Sequence, residues 1–263
     1  MKLCFSTLGC WDYTLKDIIS LAKNYGIDHV EIRGINGVLE NKDIPEFFAE
    51  NAEKTKKMFA DAKIAPRVLG ASCAFHNPAR YRENIETAKS DILIAERMGI
   101  PYVRFFGNSI KDGKDACIAR VSSSFIELAD FAKAHGVTAL LEVHGDFNSI
   151  ETLGPVLEAL RGKEGFGIIW DIAHSDIVYG ENWQPFYELI RPFIKHVHIK
   201  DHKDGALTLP GDGTIPIVPI VKRLIADGYD GCLSLEWEKK WHPEIGDIEP
   251  ALDKLTDILS KIW

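Results

Sequence analysis

Four polar residues each close a short apolar run: Glu142 in TALLEVHG, Asp171 in FGIIWDIAH, His198 in IKHVHIKD and Glu236 in CLSLEWE. Such a run ending in an acid or imidazole has the composition of a buried parallel strand whose last inward side chain serves a site. Three carboxylates and one imidazole make a ligand set for one divalent metal ion. Oxygen-rich donors favour Mn2+ first, with Mg2+, Co2+ or Zn2+ as alternatives. A cation bridging a hydroxyl and a neighbouring carbonyl oxygen acidifies the C–H between them, because it stabilises the enediolate. Glu142 and Glu236 then acquire a second use as catalytic residues on opposite sides of a substrate, one removing a proton and the other returning it.

The rest of the chain must bring these four together. Short β-rich runs alternate with helical patterns from end to end. Strands are expected near Leu3–Ser6, His29–Arg33, Arg67–Ala71, Tyr102–Phe106, Thr138–Glu142, Gly167–Asp171, His196–Lys200 and Leu233–Glu236. Helices are expected near Leu15–Tyr25, Pro45–Ala62, Ala79–Met98, Asp115–His135, Ile150–Leu160, Pro185–Arg191, Ile217–Ala226 and Glu249–Ile262. Gly26, Gly99, Gly136 and Gly228 each fall between a helix and the next strand, the usual place of a helix-ending glycine. Pro45, Pro155 and Pro216 fit helix starts, where a missing N–H does no harm. Eight strand–helix units in one chain of this length predict a single (β/α)8 TIM barrel over residues 1–263. A doubly wound open sheet is the competing architecture, but no GxGxxG turn follows the first strand. The longest loops, Gly34–Ile44 and Asp201–Thr214, follow strands and would overhang the rim where barrel active sites form.

Period-two alternation places Leu140, Glu142 and His144 on one strand face, and likewise Ile169 with Asp171, His196 with His198 and Lys200, and Ser234 with Glu236 and Glu238. This register is what points the four inward. Other candidates surround the rim. Lys200 could polarise a carbonyl or pair with an acid. His76 in CAFHNP could touch a substrate oxygen or anchor a loop. Glu31, Arg33 and Arg104 allow either an internal salt bridge, favoured for Glu31 and Arg104, or an anchor for a phosphate or carboxylate. Asp171 could also cap a helical turn after it. His144, two residues past Glu142, is close enough to support the ligands. Trp11, Trp237 and Trp241 lie in or near rim loops and suit either sugar faces or core packing.

Composition narrows the function classes. The chain has 263 residues, 46% of them hydrophobic, and a formal net charge of −8, which supports a sizeable core and argues against nucleic acid as a partner. Five cysteines without a CxxC pair argue against a disulfide framework and for a reducing compartment. No signal-peptide pattern and no membrane-length apolar stretch occur, so a cytoplasmic location without membrane contact is expected. The expected partner is a small polyhydroxy molecule, with a homodimer expected by analogy with other barrels.

The motifs LLEVHG, WDIAHS, HVHIKD and LSLEWE, in this order and spacing, resemble those of the xylose isomerase-like TIM-barrel superfamily of sugar and sugar-phosphate isomerases and epimerases. The resemblance covers essentially the whole chain. It implies that Glu142, Asp171, His198 and Glu236 bind one divalent metal and that Glu142 and Glu236 form the acid/base pair. It further implies that His174, three residues past the strand-six Asp, contacts substrate; His76, Lys200 and Arg104 stand beside it as substrate-binding candidates by their places near the rim. The implied activity is a metal-dependent isomerase or epimerase of a sugar or sugar derivative. The alternative is an inosose dehydratase-like lyase, with an endonuclease IV-like repair enzyme further behind because the chain is acidic. Ketose 3-epimerases of the superfamily carry an Arg six positions past the strand-seven His, where this chain has Asp204.

Overall fold

The computed structural model describes residues 1–262. Its frame is a closed parallel barrel. The first seven barrel strands are β1 (Lys2–Ser6), β2 (His29–Ile32), β3 (Ala65–Ala74), β4 (Tyr102–Asn108), β5 (Thr138–Gly145), β6 (Phe166–Asp171) and β7 (Ile194–Ile199). A short antiparallel hairpin, β8 (Asp201–Lys203) with β9 (Ala206–Thr208), stands outside the barrel, and β10 (Cys232–Leu235) completes it. Closure occurs at β1, where Cys4 lies opposite His29 of β2 and Ser234 of β10.

Outside the strands run α1 (Leu15–Asn24), α2 (Ala49–Ala62), α3 (Tyr81–Met98), α4 (Lys114–Ala134), α5 (Ile150–Ala159), α6 (Ile172–Tyr179), α7 (Gln184–Ile190), α8 (Ile217–Ala226) and α9 (Glu249–Ser260). Their ends follow the sequence signals. Thr14 and Asp17 form a reciprocal capping box on α1. Gly99 ends α3 at φ 70°, a left-handed conformation that a Cβ would strain.

Strand alternation divides the core in two. Outward side chains such as Phe105, Leu141, Val143, Ile168, Trp170, Val197, Ile199 and Leu235 pack with the helices in the main core. Trp170 is fully buried there, stacks near Tyr187 at 5.3 Å between ring centroids, and donates from Nε1 to Ser175 Oγ at 2.9 Å. Inward side chains form a separate small plug of Val68, Leu140 and Ile169. Further along the same strands the interior turns polar, with Glu31, Arg104, Glu142, Asp171, His196, His198, Lys200 and Glu236 all buried. The helix-facing layer holds the barrel together, which leaves the inner face free to carry charge.

Two local expectations need correction. Pro155 does not start a helix; it lies inside α5. Its ring removes the bond to the carbonyl of Glu151, and both residues are on the exposed side, where water can replace it. Pro45 and Pro216 do stand at helix starts, Pro45 opening a 3-10 turn (Pro45–Phe47) just ahead of α2 and Pro216 at the N-cap of α8. After β6 the chain forms a full helix, α6, rather than a turn. Its apolar residues are spread around it, with Ile177 68% exposed, so no one-sided stripe announces it.

Candidate metal centre and active site

The pairing register sets the site. Asp171 lies opposite His198, which lies opposite Ser234, while Glu142 lies opposite Ile169. With period-two alternation this aims Glu142, Asp171, His198 and Glu236 into the C-terminal mouth of the barrel. One ligand atom from each of the four lies within 4.8 Å of the other three, and all four residues are buried.

Each side chain is held by a second contact. Asp171 Oδ1 caps α6, accepting from the backbone N–H of Ala173 at 2.9 Å and of His174 at 3.1 Å. This leaves Oδ2, which has no hydrogen bond of good geometry although Lys200 Nζ lies 2.8 Å away. Glu142 Oε2 accepts from Arg104 Nη1 at 2.6 Å, and the same nitrogen is 3.8 Å from Glu236 Oε1. Lys200 Nζ donates to Glu236 Oε2 at 2.8 Å and to Glu238 Oε1 at 2.5 Å.

His198 is fixed from below. Its Nε2 lies 2.8 Å from Glu31 Oε2, which also receives His196 Nε2 at 3.0 Å and Ser234 Oγ at 3.4 Å. With Nε2 donating to the carboxylate, Nδ1 faces Glu236 Oε1 at 3.4 Å and Glu142 Oε1 at 3.9 Å without a hydrogen bond. An imidazole nitrogen aimed at two carboxylates calls for a cation between them. A proton is one such cation. A divalent ion is the other, and a donor set of three carboxylates and one imidazole fits it. The bond from Nε2 to Glu31 would fix the tautomer in which Nδ1 is free to hold such an ion.

The electrostatics agree. Burial disfavours the charged form of His198, yet Glu236 and Glu31 outweigh it and raise its pKa well above the ordinary imidazole range. Burial likewise opposes ionisation of Glu236, but His198 and Lys200 hold its carboxyl well below the usual range. Burial also works against Lys200, and Asp171 and Glu236 nevertheless push its pKa well up, so it stays charged. His174 behaves in the opposite way: burial pushes it down to about 4, so it is a neutral imidazole near pH 7. Its Nε2 is 4.0 Å from Asp171 Oδ2, and its ring packs against His144 at 4.0 Å.

Two cavities open over this cluster. One of about 320 Å3 is lined by Arg33, Arg104, Glu142, Glu236 and Trp241 among others. The other, about 560 Å3, is lined by His174, Lys200, His202 and the hairpin residues Ala206 and Leu207. Glu238 lines both. The β7–α8 loop that roofs the second cavity is tied to Asp201, whose carboxylate accepts the backbone N–H groups of Gly211, Gly213 and Ile215 at 2.8, 3.0 and 3.1 Å. A Cβ at Gly213 would run into that carboxylate.

Of the residues expected at the site, Glu142, Asp171, His198, Glu236, Arg104, Lys200 and His174 come together. His76 is not one of the clustered ligand residues; it lines an adjoining polar cavity of about 570 Å3 that shares Ser72 and Asn108 with the cavity over Glu142 and Glu236, and its carbonyl accepts from Arg120. Glu31 and Arg104 both take the internal ion-pair role favoured for them, Glu31 with the two histidines and Arg104 with Glu142. His196 is the buried structural partner one step below His198. Glu238 and His202 were not singled out for the site; Glu238 could have been, because it shares the strand face of Glu236.

Fold and site together define a (β/α)8 barrel with a buried carboxylate–histidine cluster at its C-terminal mouth. The family description "Xylose isomerase-like TIM barrel" matches residues 19–258, and the chain belongs to that family. Among curated relatives, the inosose dehydratase of Serratia proteamaculans (strain 568) is 29% identical over 144 residues, 46% of this chain and 47% of that one. The corresponding protein of Lacticaseibacillus casei is 23% identical over 185 residues, 61% of each chain, so the chain spans roughly half to three fifths of these relatives. Among solved structures, the IOLI protein with a bound zinc atom superposes with a TM-score of 0.82 at 22% identity, covering 100% of this chain and 99% of that one. At this identity the likeness shows the fold.

Proposed function

We propose that this chain is a divalent-metal-dependent enzyme that moves a proton at the carbon next to a carbonyl in a sugar or sugar derivative, as an isomerase or epimerase. Glu142, Asp171, His198 and Glu236 hold one divalent ion in this reading, Mn2+ being the first choice by its oxygen-rich donors. The bound ion supplies Lewis-acid polarisation of the substrate oxygens and so acidifies the C–H beside the carbonyl. Glu142 on β5 and Glu236 just past β10, strands three steps apart around the barrel, line one cavity; one accepts the proton and the other delivers one, giving an isomer of unchanged formula. His174, neutral at pH 7, offers a ring nitrogen to a substrate hydroxyl. Lys200 is held charged by Asp171, Glu236 and Glu238, which suits it to stabilising negative charge on oxygen rather than to giving up a proton.

The observation that carries this reading is the convergence of four ligand atoms within 4.8 Å, with His198 Nδ1 turned toward the two glutamates. A second reading, dehydration of a cyclitol or keto-sugar, is favoured by the relatives named inosose dehydratase. It shares the first proton removal and ends in loss of a hydroxyl as water. Incubating the Mn2+-loaded protein in D2O with a panel of ketoses, keto-sugar acids and inososes separates the two. Deuterium gain at unchanged formula supports isomerisation or epimerisation, and loss of one water supports dehydration. A metal-loaded protein that exchanges no proton across the panel refutes both.

A further inference from the structure

Three Arg or Lys side chains are buried among the described residues: Arg33, Arg104 and Lys200. Arg104 and Lys200 are neutralised by carboxylates. Arg33 is not: no carboxylate oxygen of the described residues lies within 4.0 Å of its guanidinium. Its bonds go to neutral acceptors, from Nη1 to the Leu39 carbonyl at 3.2 Å and from Nη2 to Ser72 Oγ at 3.0 Å. Ser72 in turn donates to Glu40 at 3.1 Å, so the nearest acid in that chain is one residue removed.

This arginine is only 6% exposed and lines the same cavity as Glu142 and Glu236. Its place is built for it. Gly70 on the adjacent strand β3 leaves the room, since a Cβ there would come within 2.6 Å of Arg33 Cδ and 3.2 Å of Arg104 Nη2. Leu39 and Ser72 take one N–H from each terminal nitrogen, leaving three of the five guanidinium N–H groups uncommitted. Burying an unpaired charge is costly, and such a charge is kept where a ligand supplies the counter-charge. Burial first, and the neighbouring Arg104 second, push its pKa down to about 10, and the more distant Glu40, Glu142 and Glu31 offset this only in part.

We infer that Arg33 is the anchor for a carboxylate on the substrate, so that the substrate class is a sugar acid or keto acid rather than a neutral ketose. The inference rests on the proton-transfer reading only for calling the bound molecule a substrate. One uncompensated positive charge matches one monoanion, since Arg104 is already spent on Glu142. A guanidinium edge pairs with a planar carboxylate through two parallel hydrogen bonds.

The test uses the Mn2+-loaded full chain and three six-carbon probes: D-gluconate, neutral D-sorbitol and sorbitol 6-phosphate, with affinity measured by calorimetry. The wild type is expected to bind gluconate at least about tenfold more tightly than sorbitol, the scale of a charge-assisted pair. Arg33→Gln should shrink that ratio to within about twofold while leaving sorbitol affinity and Mn2+ affinity unchanged, and Arg33→Lys should retain part of the preference. An unchanged ratio in Arg33→Gln assigns the anion preference to the metal and overturns the inference. A wild-type ratio below about two overturns it without any variant. Tighter binding of sorbitol 6-phosphate than of gluconate moves the subsite to phosphate and overturns the carboxylate assignment. Because binding needs no turnover, a protein that keeps the Arg33-dependent preference but exchanges no proton separates failure of the catalytic reading from failure of this one.

Discussion

Replacing Glu31 with Gln keeps the side-chain volume and removes one buried charge two layers into the barrel. Glu31 Oε2 accepts from His198 at 2.8 Å and His196 at 3.0 Å, with Ser234 at 3.4 Å. Burial raises the pKa of this carboxyl, but His198 and His196 outweigh it and hold Glu31 ionised well below the usual range. A glutamine oxygen can accept one of these bonds without the charge, and charge-assisted bonds are about twice as strong as neutral ones. Loss of a carboxylate that orients a metal-binding histidine typically weakens metal binding about 10- to 100-fold, roughly 1.4–2.7 kcal/mol. Glu31 is fully buried, so water cannot take its place, and the upper half of that interval is expected. The assay is a competition titration of Mn2+ against a chelating dye near neutral pH, for wild type and Glu31→Gln. Ring 15N shifts of His198 in the metal-loaded wild type should report a protonated Nε2 and a coordinated Nδ1. A folded Glu31→Gln protein that binds Mn2+ within about twofold of wild type would refute the claim that Glu31 sets the ligand, whose expected effect is tenfold or more.

Three further outcomes are expected. Glu142→Gln and Glu236→Gln should each lower deuterium exchange into substrate by about 10²- to 10⁴-fold while circular dichroism stays native, as expected for loss of an acid–base group. Asp171→Ala should lose metal affinity and also about 1 kcal/mol of stability in urea unfolding, because Asp171 Oδ1 caps α6; an unchanged unfolding midpoint would show the cap to be idle. Burial lifts Asp91, which accepts from Asn41 at 3.1 Å, to about 6. Its folded-state pKa is thus above the unfolded value near 4, so stability is fullest below pH 4 for this group and declines as pH rises through about 6. Asp91→Asn should therefore gain stability relative to wild type across that window, by at most about 3 kcal/mol, and the difference should be flat above it; a constant difference from pH 4 to 7 would contradict the assignment.

The barrel was legible because apolar strand runs alternate with helical patterns, and because Gly26, Gly99, Gly136 and Gly228 each stand just past the end of a helix. The four cluster residues were legible because they sit at strand ends, where period-two alternation fixes their direction. Partner choice was not legible. Glu31 meets His198 across the barrel, 167 positions away, and nothing local distinguishes that pairing from one with Arg104. Helix α6 was hidden by its even spread of apolar residues. Arg33 was visible as one of two readings, and only the three-dimensional census of its neighbours shows that its charge is unpaired.

The central claim is that Glu142, Asp171, His198 and Glu236 surround a single ion. Anomalous diffraction from a crystal soaked in Mn2+ tests it directly. One strong peak is expected about 2.0–2.3 Å from a carboxylate oxygen of each acid and from Nδ1 of His198. No peak at the barrel mouth, or a peak reached by the other ring nitrogen of His198 with Glu31 disengaged, would contradict it.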